Sequence, residues 1–221
     1  MLKKIIFFIP LFISCDLFAS DDCSKFKFDV DVNINLNNNE NININKSKEN
    51  LVDKMGYIES GITYNARYII VPIMVQDGFC VSLRSVDVDI NFPAFNIVID
   101  KRLKENSCAY NIVLQHEKDH MQSEKNVVKD NLENIKKSVF NAAQSINPIF
   151  VAKEQNQTEA RENIYKQLET HKDVVDIIDK IKQELKQEND KIDFRGDSWQ
   201  MWQCEDFVEE MKNSADNISI D

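Results

Sequence analysis

Two of the chain's three histidines stand four residues apart, in His116-Glu117-Lys118-Asp119-His120. On an α-helix that spacing stacks the two imidazoles on one face, about 6 Å apart, as two ligands of one tetrahedral Zn2+ require. Glu117 projects about 100° round the helix from His116, beside the coordination position the rings leave open. There its carboxylate can take a proton from a metal-bound water as a general base. The five residues spell the metallopeptidase pattern H-E-x-x-H, a chemistry that cleaves a peptide or protein substrate.

A catalytic zinc takes a third protein ligand. Glu124 lies one further turn along the same face, about 6 Å of rise beyond His120, so its expected role is to hold a ligand in place rather than to be one. Asn126 stands where a longer form of the motif would carry another histidine. If two long helices fold back at Pro148, equal rise sets residues near 170 to 180 opposite the histidine pair. His171 falls at the edge of that window, on the apolar seam between Leu168 and Val175, and is the expected third ligand. Glu169, Asp173 and Asp176 are the carboxylate alternatives, with Glu154, Glu159 and Glu162 nearer the turn.

The elements that must position these groups are legible as patterns. Cys108 to Ile146 contains no Gly or Pro, and Tyr110, Val113, Leu114, Met121, Val128, Leu132, Ile135 and Val139 recur at helical spacing, predicting one long amphipathic helix. A second helical pattern runs from about Val151 to Asn189. Before them, Phe26 to Leu36 alternates apolar and polar residues, the mark of a half-buried strand, and Ile42 and Ile44 resume the alternation to complete a hairpin. Ser47 can cap a short helix carrying Leu51, Val52 and Met55, stopped by Gly56. Tyr68 to Val75 and Phe79 to Ile90 read as strands around a Gln76-Asp77-Gly78 turn. A further strand, Phe95 to Ile99, follows the break at Phe92-Pro93-Ala94. The expected fold class is α+β: a mainly β part over 21–107 with a small antiparallel sheet, then an antiparallel helical hairpin over 108–190. A docked C-terminal helix and tail carrying Trp199 and Trp202 completes it over 191–221.

Residues 1–20 pair Lys3 and Lys4 with the apolar stretch Ile5 to Ile13, too short to span a bilayer and matching a signal peptide cleaved after Ala19. A minor reading makes Cys15 a lipid-anchored residue. No later segment is apolar enough to be an integral membrane span, so export to a bacterial periplasm or the exterior is expected. Export permits disulfides. Cys23, Cys80, Cys108 and Cys204 allow three connectivities; pairing Cys80 with Cys108 closes a loop just before the motif and leaves Cys23 and Cys204 to tie the ends together. The 27 basic against 37 acidic residues leave a formal charge of −10, which repels a polyanion and argues against nucleic acid as a partner. Arg195-Gly196-Asp197 is too short a match to carry a function.

The order of Tyr57 to Ile62, a strand pair containing Cys80, a proline-containing break, Cys108-x-Tyr110 and then His116-Glu-x-x-His120 resembles the predicted secreted zinc-dependent proteases of bacteria, with zincin-type active-site helices. The resemblance covers about residues 50 to 145. It implies that His116 and His120 bind zinc and that Glu117 is the base, and it implies no substrate. The competing expectation is a non-catalytic exported interaction protein that offers an acidic helical hairpin to a partner.

Overall fold

The computed structural model describes residues 23–37, 41–51, 54–92, 94–146, 148–153, 156–194, 200–205, 207–209 and 212. The expected signal peptide with Cys15, the Arg195-Gly196-Asp197 tripeptide, Trp199 and Glu154 lie outside the described residues.

Strands form where apolar and polar residues alternate. β4 (Thr63–Val75) and β5 (Gly78–Asn91) make the expected hairpin and pair antiparallel. On the other side of β5, β1 (Asp31–Asn37) runs parallel to it, Asp31 opposite Ser85. β7 (Ile149–Ala152) pairs antiparallel with the first residues of β5. β6 (Phe95–Ile99) is the centre of a second sheet, with β2 (Ile42–Lys46) parallel on one side and β3 (Gly56–Glu59) antiparallel on the other. The class is α+β as expected, but the strands form two mixed sheets instead of one antiparallel sheet.

The hairpin expected from residue 26 to residue 44 is divided between those sheets. Pairing β1 with β5 buries Val30 and Val32 in the core. It also lets Asn33, Asn35 and Asn37 donate side-chain hydrogen bonds to Asp87, Asp89 and Asn91 at 2.7–2.9 Å, which a local hairpin with β2 would forgo. The short helix expected after Ser47 is also not formed by its described residues, 47–51 and 54–55. Their polar groups bond outward instead: the Leu51 amide donates to Asp100 Oδ2 at 2.6 Å, and Ser47 Oγ accepts from the Lys101 amide at 3.0 Å.

α1 (Cys108–Asp130) starts at Ser107, whose side chain accepts from the Tyr110 amide, satisfying a donor that the first turn leaves free. The expected single helix through Ile146 breaks at buried Asn131 and continues as α2 (Leu132–Ser145). Asn131 competes for its own helix's carbonyls: Nδ2 donates to Val127 O at 3.0 Å and to Glu184 Oε2, while Oδ1 accepts from Lys180 Nζ. The second expected helix is likewise divided, into β7, α3 (Gln157–Glu169) and α4 (Lys172–Asp193). α4 packs on α1 and α2 and is antiparallel to them, since Asn131 meets Lys180 and Glu184 whereas His120 meets Asn189 and Asp193. Val175, expected on the seam, is exposed, and Ile177 and Ile192 are the buried residues of α4.

The larger core lies between the β1–β5–β4 sheet and helices α2 and α3, with Val86, Phe92, Phe95, Val128, Ala142 and Ile164 at its centre. A second cluster joins Ile97, Ile99, Leu103, Tyr110 and Val113 to Cys204 and Phe207 of the C-terminal segment. The disulfides are Cys23–Cys80 and Cys108–Cys204, one of the three connectivities open to the four cysteines and not the one that pairs Cys80 with Cys108 and Cys23 with Cys204. Parallel pairing explains the first: the chain before β1 runs towards the start of β5, where Cys80 is fully buried. Docking of the C-terminal segment beside Ala109 and Tyr110 explains the second. Among the described residues no helix is long and apolar enough to cross a membrane.

Candidate metal centre

The site is built outward from the end of β6. Asp100, fully buried, accepts from the Leu51 amide, the Arg102 amide and the Arg102 guanidinium, the last at 2.9 Å. Burial alone would raise this carboxyl's pKa, but the bonds from Arg102 and Leu51 and the Arg102 charge outweigh it and hold the pKa below the usual carboxylate range. Arg102 also donates to Leu51 O at 3.1 Å, so one ion pair clamps the segment before β3 to the turn before α1. Asn106 ends that turn at φ 62°, a left-handed conformation that asparagine tolerates, and Ser107 then caps α1.

α1 lies against β3 and β6. Its buried row is Tyr110, Val113, Glu117 and Met121, so Glu117 takes a core position in an otherwise apolar stripe. Gly56 makes the close approach of β3 possible. A Cβ there would stand 2.5 Å from Val113 Cγ1 and 3.1 Å from Glu117 Oε1.

One turn apart on the adjoining face, the two histidine rings converge, with Nε2 of His116 3.1 Å from Nε2 of His120. Asp193, the last residue of α4, closes the group: its Oδ1 is 3.3 Å from His116 Nε2 and 3.0 Å from His120 Nε2. The three ligand atoms therefore form a nearly equilateral triangle. Ligands about 2.0–2.1 Å from a tetrahedral zinc stand about 3.3 Å from one another, and these atoms fit that spacing. His120 Nδ1 lies 3.0 Å from Asn189 Oδ1. A carbonyl oxygen only accepts, so the tautomer with hydrogen on Nδ1 donates to Asn189 and leaves the Nε2 lone pair for a metal in the triangle. Asn189 and Asp193 are four residues apart on α4, so each helix contributes a pair one turn apart.

Glu117 is 5% exposed and borders the same cavity as His116 and Asp193. Burial pushes its carboxyl pKa above the usual range, reinforced by the Asp193 charge and opposed by His116, His120 and Lys54. Glu124 lines the adjoining cavity of about 460 Å3 together with His116, His120, Asn189 and Asp193. Its carboxyl pKa is also raised by burial, against a lowering hydrogen bond from Ser60, and it is outside the ligand triangle.

His171 stands apart from this group. It is the N-cap of α4, where its ring Nδ1 accepts from the Asp173 amide at 3.2 Å. A helix of 22 residues separates it from Asp193 by roughly 30 Å. The expected ligand window is displaced because β7 and α3 follow Pro148, and only then does the chain return along α1. Among the described residues His116, His120 and Asp193 are the group of three that could hold a metal ion; Glu159, Glu162, Glu169, Asp173 and Asp176 are not in it. Sequence reasoning missed Asp193, Asn189, Gly56 and Asp100. The i, i+4 pair Asn189 and Asp193 is the one local signal of the two α4 residues.

Comparison of the chain with protein-family models, with curated proteins and with solved structures finds no match.

Proposed function

We propose that this protein is an exported zinc-dependent peptidase in which His116, His120 and Asp193 hold the metal and Glu117 is the general base. The observation that carries the reading is the triangle of ligand atoms with edges of 3.0–3.3 Å, set on two antiparallel helices. Two imidazoles and one carboxylate leave a fourth position for water or substrate, as catalytic zinc sites do. Zinc bound there supplies Lewis-acid polarisation of a peptide carbonyl and a lowered pKa for water. Glu117 takes the proton of the attacking water and passes it to the leaving amine. Asn189 keeps His120 in the tautomer that binds metal, and the Asp100–Arg102 clamp keeps β3 against Glu117. Two disulfides suit an oxidising compartment and support export. The resemblance of the H-E-x-x-H helix to zincin-type active sites points the same way.

The test is zinc stoichiometry and peptide turnover on the purified, oxidised protein beside His116→Ala and Glu117→Gln. One zinc in the parent, none in His116→Ala, and a zinc-loaded but inactive Glu117→Gln are expected. No zinc in the parent with metal supplied would reject the reading in favour of a non-catalytic interaction protein.

A further inference from the structure

The cleft around the ligand triangle is chemically two-sided. On the Glu124 side its lining includes Ser60, Asn189 and Tyr57. On the other side a cavity of about 520 Å3 opens beside His116, Glu117 and Asp193, with Met55, Ile112, Val113, Met201, Trp202 and Phe207 among its apolar lining and Lys54 and Arg102 also on its wall. Its volume is in the range of small-ligand sites, and seven apolar side chains give it the lining that a large apolar group would need.

The wall is built for permanence. Phe207 is 3% exposed and packs with Val113, Tyr110 and Ile99. Trp202, which also lines the cavity, stands edge-on to Phe207 with ring centroids 5.0 Å apart, yet is 54% exposed. Cys204, between them in sequence, is tied to Cys108 at the first residue of α1. The segment that carries Met201, Trp202 and Phe207 is thereby stapled to the helix that carries His116 and Glu117. A tryptophan exposed on the wall of this cavity leaves apolar surface in water that a bound apolar group would cover.

Resting on the peptidase reading, we infer that this cavity is the specificity pocket of the enzyme. It takes a large apolar side chain, such as that of Phe, Leu or Met, from a residue flanking the bond to be cleaved. Trp202 is its specificity-determining residue, and the C-terminal segment stapled by Cys108–Cys204 is its wall. Discrimination follows from area: a pocket of this kind separates large from small apolar side chains by about 10–200-fold per methylene-sized step at most.

The experiment incubates the oxidised, zinc-supplied protein with an equimolar library of acetylated, amidated decapeptides and reads cut sites by mass spectrometry. Zinc content is measured on the same samples. One position flanking the cut should be enriched at least tenfold in Phe, Leu and Met over Gly. Trp202→Ala should lose most of that enrichment at unchanged zinc stoichiometry, and Trp202→Phe should restore it. Because Trp202 is half-exposed, its truncation leaves the fold intact; Met201→Ala provides a second variant on the same wall. A flat profile from a zinc-loaded parent that cleaves, or an unchanged profile in Trp202→Ala, would overturn the pocket and leave the peptidase reading standing. A parent with neither zinc nor cleavage would overturn both.

Discussion

Replacing Asp193 by alanine removes the one anionic corner of the triangle and the only one that comes from α4. The carboxylate oxygen would lie about 2 Å from a doubly charged ion. Its side chain is 62% exposed, so the dielectric around it is close to that of water. Coulomb's law then assigns the contact about 4 kcal/mol, or roughly a thousand-fold in zinc affinity. Asp193→Asn, which keeps an oxygen but not the charge, should fall between the parent and alanine. Asp193 is the last, exposed residue of its helix, so neither change should move the urea unfolding free energy of the metal-free protein by more than about 0.5 kcal/mol. The assay is competitive titration of zinc against a chelator of known affinity, with circular dichroism to monitor the fold. A zinc affinity in Asp193→Ala within threefold of the parent's would refute the reasoning, leaving the carboxylate as a surface partner of two histidines.

Gly56→Ala should destabilise the protein by about 1–3 kcal/mol, since the new methyl overlaps Val113; urea denaturation should show that loss, and adding Val113→Ala should recover part of it. Asp100→Asn leaves the Arg102 guanidinium without its buried anion and should cost about 3–5 kcal/mol at neutral pH. The folded pKa of Asp100 is lowered, so its contribution is present above the unfolded value of about 3.9 and lost as pH falls through the folded one. The parent's urea midpoint should therefore decline through that acid range more steeply than the variant's. His171→Ala should cost about 1 kcal/mol as a lost helix cap with zinc stoichiometry unchanged; loss of zinc would return His171 to the ligand set.

The groups that a helix brings together locally were readable before any fold was known. His116, Glu117 and His120 are related by a 3.6-residue period alone, whereas the burial of Glu117 in the row with Val113 and Met121 came from the packing of β3 and β6 on α1. The β4–β5 hairpin was equally legible, because its turn and its alternation lie within one stretch of chain. The α+β class follows from two periodicities in one sequence. What depends on long-range pairing was decided by the tertiary structure. β1 and β2 left each other for β5 and β6 because those partners bury Val30 and Val32 and match the Asn33 and Asn35 amides to Asp87 and Asp89. The disulfide pairing followed from that register and from where the C-terminal segment docks. The third ligand was displaced from His171 to Asp193 because β7 and α3 take up the chain after Pro148. A register between two helices is set by packing such as that of Asn131 on Lys180 and Glu184, and no local pattern in either helix encodes it.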